Sequence, residues 1–181
     1  MGDLAKASNM APAPETTGIR RIITTHRPDG EAVIAEDRIC PNRFVMGGNP
    51  LFVDNEIWKI EQQPASNAGD PVDPATSFTF VPPAGGNVCR ILEIPPDTTL
   101  GTDGEGNPVK PLFHRTASTD YAVVLRGEIT AVLDKQETVM RAGDIMVQRG
   151  SIHAWSNRTN EQCLMLFVLC GAEPIEGLPI M

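Results

Sequence analysis

Apolar and polar positions alternate with a period of two in one short stretch after another, and no segment sustains helical spacing over three turns. "IRRIITT" (19–25) and "EAVIAED" (31–37) flank a turn at "RPDG" (27–30) and together predict a β-hairpin. Further extended runs are "FVDNEIWKI" (52–60), "SFTFV" (77–81) and "NVCRILEI" (87–94). The stretch 95–110, "PPDTTLGTDGEGNPVK", cannot continue a strand because of its prolines and glycines. Beyond it, "DYAVVLRGEITAVLD" (120–134) breaks at "RGE" and "ETVMRAGDIMVQ" (137–148) breaks at "AGD". "CLMLFVLCG" (163–171) is apolar on both faces and asks for cover on both. Many short strands with no helices to cover a parallel sheet predict an all-β sandwich or barrel that closes on itself.

Residues 1–18 are small, polar and proline-containing, and read as a loose tail ahead of a single domain over 19–181. A net charge of −8 argues against a nucleic-acid partner, which needs clustered lysine and arginine. No run of 18 apolar residues is present, so a membrane span is not expected. The start has no apolar segment of the secretory kind, and the cytosol is the expected compartment. Cys40, Cys89, Cys163 and Cys170 show no CxxC spacing and read as reduced thiols.

Three residues of chemical interest, His114, Thr116 and Asp120, share parity, so an extended segment places them on one face. His153, Trp155 and Asn157 do the same later in the chain, and a closed barrel can bring two such faces together. Arg90 sits inside an apolar run and must either reach solvent or meet an acid, for which a substrate carboxylate is one choice. Trp155, Phe113 and Trp58 are candidate walls of a ligand pocket. Two imidazoles beside a carboxylate can move a proton, or hold a metal with open positions.

"HRTASTDYAVVLRGE" (114–128) followed by "AGDIMVQRGSIHAWSN" (142–157) resembles the two sequence motifs of the cupin superfamily. His114, Thr116, Asp120 and Gly127 fall on the first motif, and Gly143, Gly150, His153 and Asn157 on the second. Upstream, "IRRIITTHRPDGEAVI", Trp58 and "PPAGGNVCRILEIPPD" resemble the leader of one cupin subgroup. Thr116 stands where that pattern has a second histidine, and Asp120 where it has glutamate. The resemblance implies a jelly-roll β-barrel with extra N-terminal strands, added to its edge or to a partner in a homodimer. It also implies a small-molecule substrate inside the barrel, and either a divalent transition ion (Fe, Mn, Zn or Ni) at His114, His153 and Asp120 or no metal.

With one histidine of the pattern missing, the expected activity is that of a small-molecule lyase or isomerase, of the dehydratase or decarboxylase type, acting on an organic acid or polyketide-like metabolite. His153 would transfer the proton, His114 would be its partner and Asp120 would orient one of them. Arg90, Trp155, Thr116, Phe113 and Trp58 are the expected substrate contacts. A metal-dependent dioxygenase and a non-catalytic ligand-binding barrel are the alternatives.

Overall fold

The computed structural model describes residues 18–69, 71–102 and 104–180. The tail expected over 1–18 therefore lies outside the described residues, apart from Gly18. Eleven strands were found: β1 (Arg20–His26), β2 (Ala32–Ile39), β3 (Arg43–Val45), β4 (Val53–Ile60), β5 (Asn87–Ile94), β6 (Ser118–Arg126), β7 (Glu128–Leu133), β8 (Glu137–Arg141), β9 (Ile145–Arg149), β10 (His153–Ser156) and β11 (Cys163–Gly171). They form a six-stranded sheet in the order β3-β4-β5-β11-β6-β9, a three-stranded sheet β10-β7-β8 and the separate hairpin β1-β2.

Both larger sheets turn their apolar positions inward, as period-two alternation requires. Ile94, Ala122, Val124, Met165 and Phe167 from the large sheet meet Ile129, Ala131 and Met140 from the small one. This interior is graded along β11. The inward row at the Cys163 end is apolar on β5, β11 and β6, with Met165 between Leu92 and Val124, and carries a charge where Asp54 of β4 meets Leu92. Toward Gly171 the inward rows become Glu56–Arg90–Phe167–Ala122 and then Val88–Leu169–Asp120–Gln148. Polar side chains thus gather at one mouth of the barrel.

The hairpin carries little core of its own and is fastened by Arg21, which is 3% exposed and donates to Glu36 Oε1 at 2.8 Å and to the Ile57 carbonyl at 3.1 Å. β4 joins the edge of the large sheet, as expected for strands added ahead of the barrel.

One expected strand is absent. Ser77–Val81 forms no strand and makes no backbone–backbone hydrogen bond among the described residues. Its Thr79 N–H donates to Glu56 Oε1 at 2.6 Å, and its Thr79 carbonyl accepts from Arg90 Nη2. The apolar alternation of "SFTFV" therefore serves a strap whose backbone is satisfied by side chains of the barrel wall, a possibility that period alone cannot distinguish from a strand.

Between β6 and β7, Gly127 has φ +83°, and a Cβ there would lie 3.1 Å from the Gln162 carbonyl oxygen and 3.2 Å from Cys163 Cα. Both neighbours are backbone atoms that cannot step aside. Gly127→Ala is expected to cost about 1–3 kcal/mol, read as a lowered urea midpoint at unchanged slope.

Candidate functional site

His114 and His153 are brought together by an isolated antiparallel bridge. Each donates its backbone N–H to the other's carbonyl, at 2.9 and 3.0 Å, and the ring centroids lie 4.1 Å apart. His114 Nδ1 is 3.1 Å from the Leu112 carbonyl, and His153 Nδ1 is 3.0 Å from the Ser151 carbonyl. A carbonyl can only accept, so each Nδ1 carries the hydrogen and each Nε2 keeps its lone pair. Gln148 Nε2 also touches His153 Nδ1 and donates to the same Ser151 carbonyl at 3.3 Å, so amide and ring share one acceptor. Among the described residues neither Nε2 has a hydrogen-bond partner.

Burial is the main cause of a lowered pKa at both rings. At His153 the neighbouring His114 adds to it and brings the value to about 4, so both imidazoles are neutral near pH 7. Around them runs a chain of aromatic contacts. Phe80 lies 5.2 Å from the His114 ring, and Trp155 stands 5.8 Å from His153 and 5.3 Å from Phe167. Trp155 thus stands in ring contact with both His153 and the core residue Phe167.

Other expected positions differ. Asp120 faces inward from β6, but its hydrogen bond goes to Ser118, and Oδ1 is buried without a partner. Burial raises its pKa against that bond. No hydrogen bond joins it to either imidazole among the described residues, and Gln148, its cross-strand neighbour on β9, holds His153 instead. Aspartate's short side chain explains this, because it reaches only its own strand.

Thr116 is buried and bonded to Ser118 Oγ at 2.7 Å, and it contributes to a cleft of about 180 Å³ with Arg115, Arg149 and Ile175; no hydrogen bond joins it to either imidazole among the described residues. Phe113 is 43% exposed at the rim, and Phe80 of the strap takes the aromatic position against His114. Trp58 points outward: a bulge between Glu56 and Trp58 reverses the alternation, so Trp58 pairs with outward-facing Cys89.

Arg90 does meet an acid, but one belonging to the chain. Its Nη2 is 3.2 Å from Glu56 Oε1 and its Nη1 3.1 Å from Asp54 Oδ2, the latter a charge contact without hydrogen-bond geometry. Asp54 and Glu56 are both 0% exposed. Desolvation raises Asp54 to about 6 and Glu56 to about 7, opposed by the Arg90 charge. The sequence held a signal for them. Asp54 and Glu56 share parity on a strand, and an arginine in an apolar run needs partners of that kind.

These groups set opposite pH dependences. Asp54 and Glu56 bind a proton more tightly in the folded state, so their contribution to stability is full below their ordinary values of 3.8 and 4.5 and is lost as pH rises through about 6 to 7. His153, lowered from 6.5, contributes above pH 6.5 and loses that contribution as pH falls through about 4. Glu56→Gln removes one carboxyl and leaves the imidazoles. Relative to the unsubstituted protein, this variant is expected to gain stability as pH rises from about 4.5 to about 7, measured as paired urea midpoints across that range.

The double-sheet barrel, with its imidazole pair at one mouth, is of the kind that the sequence motifs imply. Residues 102–169 match the family model described as the cupin domain. The chain is 33% identical to the cupin-domain-containing oxidoreductase virC of Hypocrea virens, over 91% of this chain and 81% of that protein. It is 36% identical to phomopsin biosynthesis cluster protein C′ of Diaporthe leptostromiformis (96% of this chain, 88% of that protein). Against the cupin-domain-containing oxidoreductase fogC of Aspergillus ruber the identity is 32% (82% and 70%). The chain belongs to the cupin family. No helix among the described residues is long and apolar enough to cross a membrane.

A divalent transition ion is the cofactor that the motifs imply, and the donors do not fit a three-ligand site. Two imidazoles with their Nδ1–H groups held by carbonyls resemble metal-ligating histidines. Among the described residues, however, no group of three His, Cys, Asp or Glu side chains converges.

Proposed function

We propose that this chain is an enzyme of small-molecule biosynthesis that moves a proton on an organic acid or polyketide-like substrate inside the barrel, as a dehydratase or decarboxylase does. The observation that carries this reading is the pair of neutral imidazoles with both Nδ1 atoms anchored and both Nε2 lone pairs free. In a dehydration, His153 Nε2 takes the proton from carbon as the double bond forms. It then returns that proton to the departing hydroxyl, and water leaves. A His153 pKa near 4 makes the intermediate imidazolium a strong acid, which favours the return. His114, in ring contact, keeps its Nε2 lone pair free to accept a hydrogen bond from a substrate hydroxyl. The aromatic wall of Phe80, Trp155 and Phe167 limits water around the reacting atoms.

The names of two relatives favour a second reading, oxidation or reduction at the same two imidazoles. Oxygen consumption separates an oxygen-dependent oxidation from proton transfer: turnover by proton transfer uses none, whereas dioxygenation uses one oxygen molecule per substrate. A substitution tests the donor set independently. Thr116→His restores the missing histidine of the first motif and is expected to tighten zinc or nickel binding about 10–100-fold by calorimetric titration. It should leave a proton-transfer activity no higher than before.

A further inference from the structure

The inner wall of the barrel carries more acceptors than the chain can use. Both carboxylate oxygens of Asp54, Glu56 Oε2 and Asp120 Oδ1 are buried with no hydrogen-bond partner, against two unpartnered donors on that wall and its rim, Arg90 Nε and Arg115 Nε. Asp54 and Glu56 face inward from β4 beside Leu92 and Arg90, and Arg90 in turn neighbours Phe167 of the aromatic wall. Buried acceptors left unmade are costly, and such groups in a folded chain are normally matched. One acceptor in this cluster is already matched, and its partner is a donor: the Thr79 N–H of the strap, on Glu56 Oε1.

From the cluster an unbroken line of contacts leads to the imidazoles. The Arg90 guanidinium lies 5.1 Å over the Phe78 ring, Phe78 is 6.4 Å from Phe80, and Phe80 is 5.2 Å from His114. The Arg90 charge is felt at both His114 and Asp120.

We propose that Asp54, Glu56 and Arg90 form the polar end of the substrate site and take an amino or hydroxyl group of the substrate, whose body lies along Phe78 and Phe80 with its reacting carbon at the imidazole pair. This rests on the proton-transfer reading of the same barrel interior. Asp54 and Glu56 offer carboxylate oxygens to the donor group, and Arg90 keeps the two carboxyls apart and oriented. Because the cluster is fully buried, binding requires the Ser77–Val81 strap to lift and surrender its Thr79 N–H contact.

The test uses the whole chain and four probes of similar size: benzylamine, benzyl alcohol, benzoate and toluene. Binding is followed by amide NMR, with the Thr79 signal as reporter. Benzylamine, benzyl alcohol or both are expected to bind at least about tenfold more tightly than benzoate and toluene, and to shift Thr79. An amine-only preference identifies an ammonium as the recognised group, and equal preference identifies a neutral donor. Asp54→Leu and Glu56→Met, which remove the acceptor oxygens that an amide would keep, should each erase the preference, while His153→Ala keeps it. Binding of all four probes within about threefold of one another overturns the proposal, as does no binding by any of them or a preference that survives both substitutions. The comparison among probes on the unsubstituted protein holds even if a variant fails to fold. Loss of turnover in His153→Ala without probe discrimination would sink this proposal and leave the proton-transfer reading standing. Probe discrimination with full turnover in His153→Ala would do the reverse.

Discussion

Alanine in place of His153 is expected to lower turnover about 10²–10⁴-fold on the true substrate while the far-UV dichroism and urea midpoint stay near those of the unsubstituted protein. The range is what a positioned acid or base is ordinarily worth. His153 carries the stronger claim of the pair because two neighbours, Ser151 and Gln148, fix its Nδ1, whereas His114 has the Leu112 carbonyl alone. Gln148→Leu should then lower turnover and leave substrate affinity in place, since the amide acts only through the ring. Asp120→Asn is the internal control. Its carboxyl is bonded to Ser118 and not to an imidazole, so its loss should cost less than that of either histidine. Full activity in both His153→Ala and His114→Ala would show that the barrel works elsewhere.

Removing Arg90 should have the largest effect on stability. Arg90→Met leaves Asp54 and Glu56 buried without their counter-charge, and breaking a buried pair in this way typically costs about 3–5 kcal/mol. The sign with pH follows from the same two groups. Without the guanidinium, their pKa values rise further above the ordinary carboxylate range, so the deficit shrinks as pH falls and both carboxyls take up protons. Combining Arg90→Met with Asp54→Asn and Glu56→Gln removes the uncompensated charge and should recover most of the loss. Urea unfolding at two pH values reads all three effects. A single variant as stable as the original at neutral pH would mean that the carboxyls are already protonated and the ion pair is absent.

Much of this architecture was legible in the residue pattern. "NVCRILEI" and "CLMLFVLCG" coincide with β5 and β11, which alternate buried and half-buried positions along their length, and the β1-β2 hairpin follows from its "RPDG" turn. The meeting of His114 and His153 was legible through motif placement. What escaped has particular causes. β3 is three residues long, too short for any period to register. Ser77–Val81 alternates like a strand, yet its backbone partners are the side chains of Glu56 and Arg90, which only the folded chain brings near. Trp58 is a candidate pocket wall only as an aromatic side chain, and the bulge that turns it outward leaves no mark in the sequence. Asp54 and Glu56 carried no expectation, because charged residues in alternation on a strand usually mark its solvent face. The inward direction of that face is decided by Arg90, 34 residues further on in sequence to Glu56.

The manner in which Ser77–Val81 is attached bears on how barrels of this kind diversify. A strand exchanged in evolution disturbs the register of its neighbours and with it every inward side chain. This segment shares no ladder with a neighbour, so its two phenylalanines can be replaced, or its length changed, while all eleven strands keep their pairing. It touches His114 at one end and the buried acids at the other. A few substitutions within five residues can therefore change what surrounds His114 and the buried acids, at little cost to folding.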